Sequence, residues 1–485
     1  MEAITPYIYR NVAYNVTCRL FNNCILYNNM KIRIIGSGLA LFLILWLSPA
    51  VSAQDNELEI ILTEVAERLS RREFAPALEL FNKLPAEHAQ NAEIQIMRAG
   101  IYNAANRPAD ARRIANNIIA SDRNNTDALM ILADAAALEN KERERRQFLD
   151  RVIGVNPNHV RALTDLANIN LKNQNLRVAA NYFDRALAAE PENGEAIVGR
   201  ASVHRYNREP RSAERLLNRA VSLYPTWARP FQERARLYVG AGFNSDALED
   251  FIIALRLEPD NYWVLVDYGQ LLMEMNRKNE ALESFNKAIK VAPDVFMAYV
   301  YSAAIKDEFG DYEGAERDYI TLARLKPDYY FAHEALGVIR MRNKQWALAR
   351  DDFLNAYRQA PREFNYAILA AINWMRAGRQ TDPKQFLAQV LRTAPRDSLD
   401  HAMLRLFHDL RGDGDVTIRV ENEKNIYEKS RMLYYLASYN DIRGNKTLAD
   451  RYFMMVQELN AIGSLEWRLN EIMLTERGIN LRDEK

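Results

Sequence analysis

Between residues 58 and 397 the apolar positions of the chain recur with a fixed phase of 34 residues. The pattern divides without insertion into ten blocks, beginning at 58, 92, 126, 160, 194, 228, 262, 296, 330 and 364. Each block carries two stretches with helical apolar spacing, separated by a polar turn, and so predicts a pair of antiparallel helices. The eighth position is small in all but the first block, as in Ala167, Ala201, Gly269 and Gly337, and the twentieth is Ala in eight of ten, with Arg145 and Pro383 as exceptions. Small residues there let two helix backbones approach closely. The large residue at the twenty-fourth position, as in Phe183, Phe251, Phe285 and Phe353, fills the space beside that approach. The fifteenth position is often Asn or Gly (Asn106, Asn140, Gly242, Asn276, Gly310, Gly378), residues that tolerate the left-handed conformation ending a helix. Prolines at 157, 191, 225, 259, 293, 327, 361 and 395 hold the same phase and punctuate the end of the second helix.

After 397 the frame breaks. Residues 398–411 read as a helix, and Gly412 to Asn425, polar and carrying two glycines, reads as a loop or short hairpin; together 398–429 form a helix plus an irregular insertion. The motif returns over 430–463 with Leu436, Ala437, Gly444, Ala449 and Phe453, and 464–485 reads as a capping helix followed by a tail.

This phase resembles the tetratricopeptide repeat. Block 160–193 carries the resemblance with Leu163, Leu166, Ala167, Ala179, Phe183, Ala186 and Pro191, and block 262–295 with Leu265, Tyr268, Gly269, Ala281, Phe285, Ala288 and Pro293. The resemblance implies an all-α fold: a right-handed superhelical solenoid of antiparallel helix pairs, about 11 repeats long, with no sheet in 58–397. It also implies a concave surface, built from the first helix of each repeat, that binds a protein or peptide segment.

The N-terminal stretch is of another kind. From Met30 the chain reads as a short positive segment (Lys31, Arg33), an apolar run from Leu39 to Leu47, a Pro49 break and the small residues Val51-Ser52-Ala53. That order is the design of a secretory signal peptide over 30–53, cleaved after Ala53, and the apolar run is short for a membrane span. The expected location is therefore the periplasm or the exterior of a bacterium. Residues 1–29 precede the leader and read as an upstream extension that is not part of the native protein; both cysteines, Cys18 and Cys24, fall within it. The remaining chain needs neither disulfide nor thiol chemistry. Lys+Arg and Asp+Glu are 64 each, and loss of 1–53 leaves 60 against 63, so no basic field points to nucleic acid.

No catalytic constellation stands out. The six histidines are scattered over different repeats and none pairs with another at helical ligand spacing. Phosphate loops, nucleophile elbows and zinc motifs are absent from the sequence, so no cofactor, metal or enzymatic activity is expected. Asp413-Gly414-Asp415 lacks the later glycine and glutamate of a calcium loop and reads as a turn. The overlapping Arg411-Gly412-Asp413, a tripeptide that some adhesins present to integrins, reads as the same turn.

The partner-binding candidates lie at the second, fifth, ninth and twelfth positions, one face of the first helix. Arg161, Arg205, Arg229 and Arg236, with Lys172 at the adjoining thirteenth position, form an early basic stretch. Trp263, Val266, Met297, Val300 and Phe331 form an apolar middle, flanked by Glu274, Asp307, Glu308 and Glu334. Asn168 stands at the ninth position, where some similar proteins place an asparagine to hold a C-terminal carboxylate, but Thr164 replaces the lysine of that clamp at the fifth. Trp263 and Phe331 either anchor a partner or pack on neighbouring repeats. Two functions fit this surface: an interaction scaffold or adaptor in the cell envelope, or an accessory protein of envelope polymer export or cell-wall assembly that contacts an enzyme or a glycan.

Overall fold

Apolar spacing of the helical kind, repeated through the chain, produces helices throughout: from Ala53 onward every element described is helical. The structure is a computed structural model that describes residues 25–27, 30–35, 42–46, 53–378 and 383–479. Ahead of the repeats, Ile25–Tyr27, Met30–Ile35 and Phe42–Trp46 pair in that order as a small antiparallel sheet, with Lys31 opposite Trp46 and Ile35 opposite Phe42. Most of the 1–29 extension, Val51 and Ser52 of the cleavage site, and the tail from 480 lie outside the described residues.

The helices follow the sequence phase. In the repeat starting at 160, Val160–Lys172 packs on Leu176–Ala189, which in turn packs on Gly194–Tyr206 of the next. Each pair turns through one residue in the left-handed region. That residue is Arg72, Asn106, Asn140, Gln174, Arg208, Gly242, Asn276, Gly310, Lys344 and Gly378 in the ten blocks, and Gly444 in the later repeat, always at the fifteenth position. In eight of the ten blocks the closing residue stands at the N-cap of the next helix. Asn91, Asn125, His159, Asn193 and Asn261 each accept a hydrogen bond from a backbone N–H in the first turn of the helix they precede. Such a cap contributes about 1 kcal/mol.

The core is built from the residues that the phase singles out. Ala167, Ala179, Phe183 and Ala186 are fully buried, as are Ala281, Phe285 and Ala288. At Gly269 a Cβ would stand 2.7 Å from the Phe285 ring, and at Gly337 a Cβ would stand 2.6 Å from the Phe353 ring. Small eighth and large twenty-fourth residues are thus two halves of one contact.

The chain divides into two compact units, the first ending at Val295 and the second beginning at Phe296, which is the border between two blocks. In the first unit, neighbouring first helices also touch: Gly194–Tyr206 meets both Val160–Lys172 and Ala228–Ala241, and Ala228–Ala241 meets Tyr262–Glu274. In the second unit a single cluster of buried residues runs from Val338 to Leu474 and unites the later repeats with the terminal helix Leu465–Glu476. One element differs from expectation. Asp413–Glu421 is a helix rather than a loop or hairpin, because Val416 and Val420, one turn apart, are both buried while its charges face outward.

Candidate partner-binding face

On the first unit, the first helices present a ladder of ion pairs that cross from one repeat to the next. Arg161 donates from one Nη to both oxygens of Asp134, at 2.7 and 2.6 Å. Arg229 pairs with Glu195, Arg205 approaches Glu233 at 3.5 Å, and Arg236 bridges Glu233 at 2.6 Å and Asp267 at 2.7 Å. Gln232 donates to Asp267 at 2.8 Å, and the Ser202 hydroxyl to Glu233 at 3.2 Å. The arginines of the expected basic stretch are therefore electrically balanced, since each of the four faces a carboxylate. Two of those four carboxylates, Glu233 and Asp267, occupy the sixth position, which the amphipathic reading of a single helix leaves aside. The signal that finds them is opposite charge about one repeat away along the sequence.

Burial and charge compete at these carboxylates. Burial pushes Glu233 upward, but Arg236, Arg205 and Arg229 around it prevail and hold it down to about 2. At Asp134 burial prevails, and Arg161 offsets only part of the rise. Asp267 is likewise raised by burial, with Arg236 and Gln232 opposing. Charged groups held this way form a rigid, pre-ordered surface whose side chains are already fixed.

The remaining candidates of the first unit are placed unevenly. Asn168 is half-buried and Lys172 exposed at the end of its helix. Thr164 is buried, with its hydroxyl turned back onto the Arg161 carbonyl at 2.9 Å. Val266 is buried at 2 % exposure, and so contributes to the core rather than to a surface. Trp263 is half-buried, its ring edge-on to buried Tyr262 with centroids 5.0 Å apart.

In the second unit Met297 and Val300 are half-buried, and Phe331 is 48 % exposed while stacked on Tyr330 at 4.2 Å. Two of the flanking acids, Glu334 and Asp307, are engaged. Glu334 accepts from the Tyr366 hydroxyl, and burial raises its carboxyl. Asp307 is held by Arg468 of the terminal helix, at 2.6 and 2.7 Å.

Among the described residues no group of three or more His, Cys, Asp or Glu is placed to hold a metal ion. No described helix is long and apolar enough to cross a membrane.

The tetratricopeptide-repeat family matches this chain over residues 145–194, 164–226, 233–296 and 306–364. Among solved structures the chain is similar to pilF of Pseudomonas aeruginosa, at 18 % identity over 43 % of this chain and 94 % of that one, with a TM-score of 0.36. It is similar to YrrB, described as a tetratricopeptide-repeat protein with an unusual peptide-binding site, at 21 % identity over 38 % and 95 % of the two chains and a TM-score of 0.29. It is also similar to a tetratricopeptide-repeat protein of Parabacteroides merdae, at 18 % identity over 51 % and 98 %, with a TM-score of 0.33. No curated protein matches the chain. Proteins of this repeat generally mediate protein–protein interactions through a fold that is typically a non-catalytic scaffold. Phase, helix pairing and family match agree, and the matched segments between residues 145 and 364 are tetratricopeptide repeats.

Proposed function

We propose that the chain is a non-enzymatic interaction scaffold of the bacterial cell envelope, and that the first-helix face of its first unit receives a segment of a partner protein. One observation carries this reading: Arg161, Arg205, Arg229 and Arg236 are paired with carboxylates of neighbouring first helices, which ties the repeat at 126 to that at 160 and joins those at 194, 228 and 262 in one balanced stretch. A face ordered before the partner arrives spares the ordering cost of binding. Its chemistry fits a segment of alternating charge that lies along the intact ladder, with Trp263 as the aromatic anchor at its end. The leader-like order of residues 30–53 supports work outside the cytoplasm.

Capture from a periplasmic fraction by the immobilised protein tests the reading. Truncation of a buried aromatic anchor typically costs about 2 kcal/mol or more. Trp263→Ala is therefore expected to lower recovery of the captured protein at least about tenfold. Undiminished capture by that variant overturns the assignment of the face.

A further inference from the structure

The terminal helix Leu465–Glu476 is enclosed more completely than a cap requires. A helix that only covers the last repeat keeps one dry face and leaves the other to water. Here Glu466, Leu469, Asn470, Ile472, Met473 and Leu474 are all buried, at 5 % exposure or less. One side of the helix rests on the final repeat, where Glu466 accepts from Tyr435 and Asn470 donates to the Phe453 carbonyl at 3.0 Å. Another side reaches far earlier repeats of the same unit. Arg468 grips both oxygens of Asp307, Arg376 Nη1 lies 3.1 Å from Met473 Sδ, and Lys344 Nζ lies 3.9 Å from Glu476. Asp307, Lys344 and Arg376 occupy the twelfth, fifteenth and thirteenth positions of three successive repeats, along the end of the first helices.

Two features mark this helix as an occupant rather than a fixed strut. Its link to the preceding helix contains Asn460 and Gly463, both left-handed, between Glu458 and the Ser464 cap. Its seat is also imperfect. Trp467 Nε1, Asn470 Oδ1 and Arg376 Nε are buried without hydrogen-bond partners, and the contacts to the early repeats are polar, with Arg468 39 % exposed. Polar, partly wet contacts characterise surfaces that exchange partners.

We propose that the first-helix face of the second unit is a docking groove for an amphipathic helix bearing an arginine beside an apolar stripe. The chain's own C-terminal helix is its resident ligand and shuts the groove until a partner helix of that chemistry replaces it. This rests on the reading that first-helix faces receive partner segments, but it concerns the other unit and is tested with the chain's own sequence. Its failure therefore leaves capture at the first unit standing.

The test uses the full chain and a fluorescent synthetic peptide of residues 463–479. In Arg468→Asp the resident helix is repelled by Asp307 and the groove opens. Because apparent affinity scales with the open fraction, the peptide is expected to bind this variant at least about tenfold more tightly than the wild type. Amide exchange over 466–474 accelerates by a similar factor, while exchange over 432–440 is unchanged. The swapped pair Asp307→Arg with Arg468→Asp recloses the groove and restores slow exchange. Arg468→Ala, a milder change, follows the same direction with smaller amplitude. Equal peptide binding in wild type and both single variants overturns the proposal. So does exchange that rises together over 432–440 and 466–474, which identifies the helix as an integral cap.

Discussion

The Phe285 ring stands against the backbone of Gly269, so close that a single added Cβ would lie 2.7 Å from it. In seven of the ten blocks the same eighth position carries Ala, whereas here and at Gly337 the ring occupies the space that a Cβ would need. Overpacking a filled core costs about 1–3 kcal/mol. Gly269→Ala is expected to lower the urea midpoint accordingly, and the added change Phe285→Leu to recover part of the loss. Gly337→Ala against Phe353, at 2.6 Å, behaves alike. A Gly269→Ala variant as stable as the wild type would show that the ring moves aside freely.

The eighth, twentieth and twenty-fourth positions were legible in the sequence because close packing restricts residue size, and size restriction leaves a phase. The left-handed turn was legible only where Asn or Gly marked it. Arg72, Gln174, Arg208 and Lys344 adopt the same conformation with φ between 56° and 60°, although their side chains disfavour it. There the flanking helices dictate the backbone, and the local residue carries no sign of it. The candidate face was legible in its arginines but not in its charge. A helical wheel shows what lies on one helix, whereas Glu195, Glu233 and Asp267 act on arginines of the adjacent repeat. The role of the terminal helix was hidden for a similar reason, since 161 positions separate Arg468 from Asp307.

The strain in those turns gives a second expectation. A non-glycine residue in the left-handed region costs about 1–2 kcal/mol, and glycine avoids that cost while losing about 0.5–1 kcal/mol through its freer unfolded chain. Arg208→Gly, at an exposed position with φ 59°, is therefore expected to raise the melting temperature slightly. A lowered melting temperature would mean that the Arg208 side chain stabilises the turn through contacts that outweigh its strain.

Glu233 makes stability depend on pH in a defined direction. Its carboxyl, held at about 2 against an ordinary 4.5, favours the folded state most strongly once it is ionised in the unfolded chain as well, above 4.5. That contribution fades as pH falls from 4.5 to about 2 and amounts to roughly 3 kcal/mol at most. Asp134 and Asp267, both raised by burial, act the other way and favour folding as they take up protons. Thermal melts of wild type and Glu233→Gln across that range are expected to converge toward pH 2, with the variant less stable at neutral pH because Arg205, Arg229 and Arg236 lose their shared counter-charge. Parallel curves at all pH values would remove Glu233 from the ladder.

Export has a direct measurement. If residues 30–53 are a cleaved leader, N-terminal sequencing of the native protein will read Gln54 first, and the protein will fractionate outside the cytoplasm. A cytoplasmic protein beginning at Met1 or Met30 would reject export and the envelope setting together.

Trp263 and Phe331 separate stability from binding, because their surroundings differ. Phe331 is 48 % exposed and its main contact is a stacked Tyr330, so its removal uncovers little core. Phe331→Ala is expected to leave the helical melt within about 0.5 kcal/mol of the wild type, as for ordinary surface substitutions. Trp263 is half-buried and meets the edge of Tyr262, whose ring is fully buried and whose hydroxyl donates to the Val295 carbonyl at 3.4 Å. An aromatic pair of this kind contributes about 0.5–1.5 kcal/mol beyond the area it buries. Trp263→Ala should therefore lower the melt modestly, and partner capture has to be compared well below that transition. If Trp263 is the anchor, capture at low temperature falls at least about tenfold while helicity stays at the wild-type value. Trp263→Phe, which keeps an aromatic edge against Tyr262, is expected to restore most of the stability and only part of the capture. Should Trp263→Phe recover both in full, or should the loss of capture in Trp263→Ala track the loss of helicity, the tryptophan is a packing residue and the anchor lies elsewhere on the face.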